Sequence, residues 1–243
     1  MNAEDAEENG EDAENGIRGS GVDLSRRATE TELLDDGVPE SDALESLADL
    51  RRVNRWLGTH RRLRKATRPF LSSSPRPRLL DVGCGSADIP DRIRRSFPGP
   101  LLAVGVDIKM LHLRAAPPSV RCVVADVHAL PFASEAFDVV LASHFLHHFD
   151  GAEAAAVLRL LYDLARRALI VDDIRRARVP YVFARSLFPL LLRSRVSVAD
   201  GALSIRRAFT ADELATAFAE AGIPVRIRRV FPYGLLAVAQ KAA

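Results

Sequence analysis

Cysteine is scarce in this 243-residue chain, with Cys84 and Cys122 alone. Two cysteines cannot build a disulfide framework, and no Cys or His cluster has metal-ligand spacing, so no metal is expected. Both cysteines fall in stretches that read as buried strand or turn, which suits a reducing compartment. Long apolar runs are also missing. None reaches the about 18–20 residues that a membrane-spanning helix needs, and the amino-terminal stretch has no signal-peptide pattern. These absences predict a cytoplasmic protein without stable membrane insertion. Aromatic side chains do not interleave with the basic ones, so no nucleic-acid partner is expected.

What is present is an uneven charge. The net charge of +2 hides a run of acids, Glu4, Asp5, Glu7, Glu8, Glu11, Asp12 and Glu14, against Arg18 alone in residues 1–20. Such a run with Gly, Asn and Ala cannot bury enough apolar surface to fold, and residues 1–38 read as a disordered acidic tail. The remainder is basic, nearly all arginine, and scattered as on solvated faces. At 48% hydrophobic the chain can fill the core of one α/β domain.

Leu44, Leu47, Leu50, Val53 and Leu57 recur at helical spacing, predicting one helix over 41–71 with Ser41 as N-cap, within a helical cap at 39–76. The Ser-Ser-Ser-Pro-Arg-Pro stretch at 72–77 opens the main domain, 77–243. Strands are predicted at 78–83, 101–106, 120–125, 137–142 and 168–172, alternating with helical stretches, which indicates a parallel sheet wound on both faces. A helix at 211–221, with Thr210 as N-cap, leads to strands at 225–231 and 234–239. Their join is too short for a crossover, so they must be antiparallel. The insert at about 174–209, rich in Arg, Leu and Phe, is read as a helical lid.

The chemistry begins at Asp81-Val82-Gly83-Cys84-Gly85-Ser86-Ala87. An apolar run ends in an acid and then in two glycines, and glycine lets a ligand come close to backbone N–H groups. A second apolar run ends in Asp107, whose two carboxylate oxygens suit a ribose diol. Together they indicate a nucleoside-containing cofactor.

The first of these segments resembles motif I of class I S-adenosylmethionine-dependent methyltransferases. Val104 to Ile108, Asp126 to Phe132 and Phe137 to His144 resemble the family's next three motifs, in order and spacing. Within the family, the chain is similar to the type 11, quinone-biosynthesis-like group that methylates small molecules. Ala87 stands where the family has a third glycine, a position that governs helix packing more than ligand approach. The resemblance implies a Rossmann-like, doubly wound, seven-stranded sheet, mostly parallel, with an antiparallel C-terminal hairpin.

It also implies S-adenosyl-L-methionine as cofactor and a set of binding residues. Asp81 would organise the glycine turn or reach the methionine ammonium, and Gly83 and Gly85 would pass beside the amino-acid portion. Asp107 would hold the ribose, Ile108 would pack on adenine, and Asp126 and the Val127 N–H would meet the adenine edge. Ser143 lies at the end of the fourth strand, which faces the methyl group. His144 and His147 follow as candidate general bases, since an imidazole titrates near working pH. The expected activity is methyl transfer to the O or C of a small apolar or aromatic acceptor, by a monomer or homodimer. An RNA or protein methyltransferase, or a non-catalytic cofactor-binding protein, are the alternatives; no Asn-Pro-Pro-Tyr motif follows the fourth strand.

Overall fold

The computed structural model describes residues 22–242; the acidic run of residues 1–20 lies outside them. The sheet is built from β1 (Arg78–Val82), β2 (Leu102–Asp107), β3 (Arg121–Val124), β4 (Phe137–Ser143), β5 (Ala165–Ile174), β6 (Arg226–Val230) and β7 (Gly234–Gln240). The helices are α1 (Leu33–Asp36), α2 (Glu40–Trp56), α3 (Thr59–Leu71), α4 (Asp88–Ser96), α5 (Met110–Arg114), α6 (Gly151–Leu164), α7 (Arg178–Leu191), α8 (Arg195–Arg207) and α9 (Ala211–Glu220). Strand order is β3-β2-β1-β4-β5-β7-β6. The first five strands are parallel, and β7 pairs antiparallel with both β5 and β6.

The central strands read as nearly continuous apolar runs because both their faces are covered. On one face Leu79, Leu141 and Ile170 pack with Leu63 of α3 and Ile93 of α4. On the other, Leu80, Val140 and Val171 pack with Leu158 of α6 and Phe218 of α9. Gly105 of β2 is required by packing, since a Cβ there would stand 2.7 Å from Cys84 Sγ. Cys84 is buried as expected, but Cys122 is exposed, because β3 is the sheet edge.

Three expectations change. The single helix over 41–71 is broken at Gly58, whose φ of +70° ends α2 and starts α3 in a new direction. The N-cap position belongs to Pro39 rather than Ser41. Residues 22–38, expected as part of a disordered tail, instead form a strap across the end of the sheet. Few apolar side chains hold it; backbone groups and buried charges do. Asp200 of α8 accepts from the Leu33 and Leu34 N–H groups at 2.8 and 3.0 Å, completing the start of α1. Lys109 donates to the carbonyls of Leu34 and Asp35. Arg27 donates to the His147 and Phe149 carbonyls, each at 2.9 Å, and stacks over Phe209.

The insert between β5 and α9 is the helix pair α7 and α8. Asp49 of α2, fully buried, accepts from the Arg193 and Ser194 N–H groups at 2.8 Å and so fixes α8 to the helical cap. Gly201 of α8 leaves space for the Phe188 ring of α7.

At α9 the Thr210 hydroxyl accepts from Glu213 N–H while the Glu213 carboxylate accepts from Thr210 N–H, a reciprocal cap. Thr210→Ala is expected to lower unfolding free energy by about 1 kcal/mol, read as a shift of the urea midpoint with no change in native circular dichroism.

Candidate active site

The sheet reverses its winding between β1 and β4, and a crevice opens at such a point beyond the carboxyl ends of the strands. A cavity of about 640 Å³ lies there. Its floor is the turn after β1. Gly83 has φ +68° and Gly85 φ +54°, conformations that cost a side-chain-bearing residue strain. A Cβ on Gly83 would come within 2.1 Å of the Phe145 ring. The turn is therefore shaped for close approach to backbone.

Asp107, at the end of β2, is fixed by two backbone donors. Gly85 N–H donates to Oδ2 and Lys109 N–H to Oδ1, both at 2.9 Å, and His112 Nδ1 lies 3.2 Å from Oδ1. Its carboxylate keeps further lone-pair capacity and lines the cavity. Ile108, 63% exposed, lies beside it with its side chain available to a flat ring. Asp126 caps the turn that follows β3 by accepting from His128 N–H at 2.9 Å, and it lines the cavity with Val127.

Two expected cofactor residues stand apart from the cavity wall. Asp81 is buried within β1, and neither carboxylate oxygen has a partner among the described residues. Burial, with Asp88 and Asp107 nearby, pushes its carboxyl well above the usual range. It makes no hydrogen bond to the glycine turn. Ser143 is also buried, its hydroxyl unpartnered among the described residues.

The expected pair of histidines separates into two environments. His144 has φ +50°, unusual for a residue with a side chain, and its N–H is tied to the Asp172 carbonyl at 2.8 Å. It lines the cavity, with Nδ1 3.9 Å from Asp173 Oδ1 and Nε2 unpartnered among the described residues. Burial lowers its pKa, assisted by His147 and Arg62 and opposed by Asp172 and Asp173, so the ring is neutral near pH 7. His147 is different. Its Nδ1 lies 2.8 Å from Asp173 Oδ1 and its Nε2 3.3 Å from Glu32 Oε1. Burial alone would lower its pKa, but the two carboxylates push it up to about 10. A ring already protonated and held at both nitrogens does not serve as a general base, which corrects the expectation for His147.

The remaining wall comes from residues that sequence motifs do not mark. Leu47, Leu50 and Val53 of α2 line the cavity, so part of the apolar stripe forms its wall. α8 adds Ser197, Ser204 and Ile205, and the strap adds Glu32, Leu34 and Asp35. Phe145 and Phe149 meet edge to face at 5.1 Å beside them.

Residues 80–168 match the family described as a methyltransferase domain. With the sheet order and the glycine turn, this makes the segment similar to a class I S-adenosylmethionine-dependent methyltransferase domain. A demethylmenaquinone methyltransferase of Roseiflexus sp. (strain RS-1) is 29% identical over 151 residues, covering 57% of this chain and 62% of that protein. An uncharacterized methyltransferase of Schizosaccharomyces pombe is 34% identical over 106 residues, 43% of this chain and 42% of its own. The chain thus matches about two fifths to three fifths of the length of these relatives. Among solved structures, the plantazolicin methyltransferase BpumL, in complex with a monoazolic desmethylPZN analog and SAH, superposes with a TM-score of 0.64 at 14% identity, covering 86% of this chain and 92% of that one. The [4+2]-cyclase SpnF superposes at 0.54 with 15% identity, over 75% and 80%.

The site fits the cofactor of this class. Gly83 and Gly85 keep positive φ at a turn that lines the cavity, with Gly83 packed against the Phe145 ring, and Asp107 offers a fixed carboxylate for a diol. Asp107→Ala is expected to weaken S-adenosylhomocysteine binding about 10- to 100-fold, since hydrogen bonds to a charged group are worth roughly 1.5–3 kcal/mol. Gly83→Ala should abolish measurable binding through clash and strain. Calorimetric titration reads both, and unchanged affinity in either variant would move the cofactor elsewhere.

Proposed function

We propose that this chain transfers the methyl group of S-adenosylmethionine to an oxygen, or alternatively a carbon, of a small apolar or aromatic acceptor of quinone- or polyketide-like character. The observation that carries this reading is the single cavity joining the glycine turn, the neutral ring of His144 and an apolar wall from α2 and α8. Its volume of about 640 Å³ suits small-molecule ligands. The names of the Roseiflexus and BpumL relatives favour a small acceptor.

The cofactor supplies an electrophilic methyl on a sulfonium. The chain's work is to align the acceptor in line with it, exclude water and accept a proton. Gly83, Gly85, Asp107, Ile108, Asp126 and Val127 hold the cofactor. His144 would accept the hydroxyl proton of the acceptor as the methyl group is transferred. Asp173, 3.9 Å from His144 Nδ1, stabilises the resulting imidazolium. His147 holds Asp173 in place and is a positioning residue.

A second reading is use of the same cavity without methyl transfer, which the superposition on a cyclase favours. Turnover decides between them. Incubation with methyl-labelled cofactor and a panel of phenols, naphthoquinols and polyketides should label one acceptor class. Binding of S-adenosylhomocysteine with no labelled product across the panel would favour the second reading. With a working acceptor, His144→Gln should lower kcat by about 10²–10⁴-fold and leave S-adenosylhomocysteine affinity unchanged.

The pH profile follows from the same ring. His144 faces Asp172, Asp173, His147 and Arg62, and its pKa lies below the ordinary 6.5. The rate should be level around neutral pH and fall as pH drops below 6.5, as the base becomes protonated. The variant should lose this limb. A limb that persists in His144→Gln would assign it to another group.

A further inference from the structure

We propose that Glu32, His147 and His148 form a binding site for one divalent transition-metal ion of the zinc or cobalt type. The site joins the amino-terminal strap to the turn after β4.

Donor atoms of the three residues lie within 4.8 Å of one another, and all three residues line the cavity. Glu32 and His147 are buried, and His148 is half-buried. Tetrahedral zinc with bonds of about 2.0–2.2 Å places its ligands roughly 3.3–3.5 Å apart. The His147 Nε2 to Glu32 Oε1 separation of 3.3 Å already spans one such edge. The His148 ring lies 4.4 Å from that of His147, centroid to centroid. Its side chain is 22% exposed, which leaves it room for the short swing that closes the set.

The surroundings are those of a metal site. Histidine ligands usually donate their other ring N–H to a carboxylate that fixes tautomer and orientation. Asp173 does this for His147 at 2.8 Å through Nδ1, and Asp35 lies 2.7 Å from His148 Nδ1. Ser204 donates to Glu32 Oε1 at 2.6 Å. Three carboxylates, those of Glu32, Asp35 and Asp173, converge on two imidazoles. The nearby guanidiniums of Arg27 and Arg207 are directed instead at the backbone carbonyls of residues 147–149. Lys109 and Arg207 act on Asp35 and offset part of that charge; a dication would meet the remainder as it displaces the His147 proton. It would replace the Nε2 hydrogen that His147 now directs at Glu32. The imidazole pair selects zinc, cobalt or iron over magnesium or calcium, and the fourth position is left to water or a ligand in the cavity.

Titration of the untagged, metal-stripped full chain with Co²⁺, followed by visible absorption, tests the site. One equivalent should produce the intense bands of tetrahedral Co²⁺, and Zn²⁺ should bleach them. Glu32→Gln and His148→Ala should each weaken Co²⁺ binding at least about 100-fold, and Asp35→Asn about 10-fold, the scale of an orienting partner. His148→Ala carries the decision if Glu32→Gln does not fold, because the His148 ring is at the cavity surface. S-adenosylhomocysteine binding by that variant verifies its fold. The proposal is overturned if the wild-type chain binds no stoichiometric Co²⁺, or if His148→Ala binds it with wild-type affinity.

Discussion

The site depends on burying carboxylates at the carboxyl edge of the sheet. β1, β2 and β5 place Asp81, Asp107, Asp172 and Asp173 there, each 8% exposed or less. A buried ionised carboxylate is tolerated only with donors or a counter-charge. Asp107 takes the first solution, with two backbone N–H groups. Asp172 takes the second, a two-pronged pair with Arg62 of α3 at 2.7 and 2.8 Å. Asp173 is matched by His147, which holds its carboxyl below the usual range despite burial. Asp81 has neither and is driven toward the neutral form. The four groups take different partners, and the elements supplying those partners are thereby fixed over the site.

This requirement accounts for the cap as well as the cavity. Arg62 can reach Asp172 only because Gly58 breaks the helix and redirects α3 across the β5 end. His147 can stay charged in a dry interior because Glu32 meets its second nitrogen, and Glu32 belongs to the strap. His144, three residues earlier in the same turn, has Asp173 only at 3.9 Å, and burial holds its pKa below the ordinary value. One short segment thus holds a charged histidine and a free base side by side, with the difference set by contacts from distant parts of the chain.

The sheet was legible from local pattern. Apolar runs of strand length alternating with helical ones specify a parallel sheet, and the few residues between Val230 and Gly234 force the antiparallel ending. Gly83, Gly85 and Asp107 stood out for a related reason, since their residue types announce the positive-φ turn and the backbone-held carboxylate that line the cavity. The strap did not. Its acidic neighbours in residues 1–20 hide the transition to an ordered segment, and its anchors pair residues far apart in sequence, as Arg27 does with His147. The break at Gly58 was masked because the leucine stripe continues across it. His147 and His144 look alike in sequence; only the position of Glu32 and Asp173 tells them apart.

A consequence concerns specificity. The cofactor half is built on strand ends and tight turns, rigid elements that hold their geometry to the precision a ribose or a methyl donor requires. Under the proposed function the acceptor half is built from α2, α8 and the strap, joined to one another by polar contacts that include Asp49 to the start of α8, Ser46 to Ser197 at 2.9 Å, and Asp200 to the start of α1. Changing the apolar residues between them, such as Leu50, Val53 or Ile205, alters the shape offered to an acceptor without touching the glycine turn or Asp107. Under the proposed function this division would place the choice of acceptor largely in α2, α8 and the strap, outside the residues 80–168 that match the family.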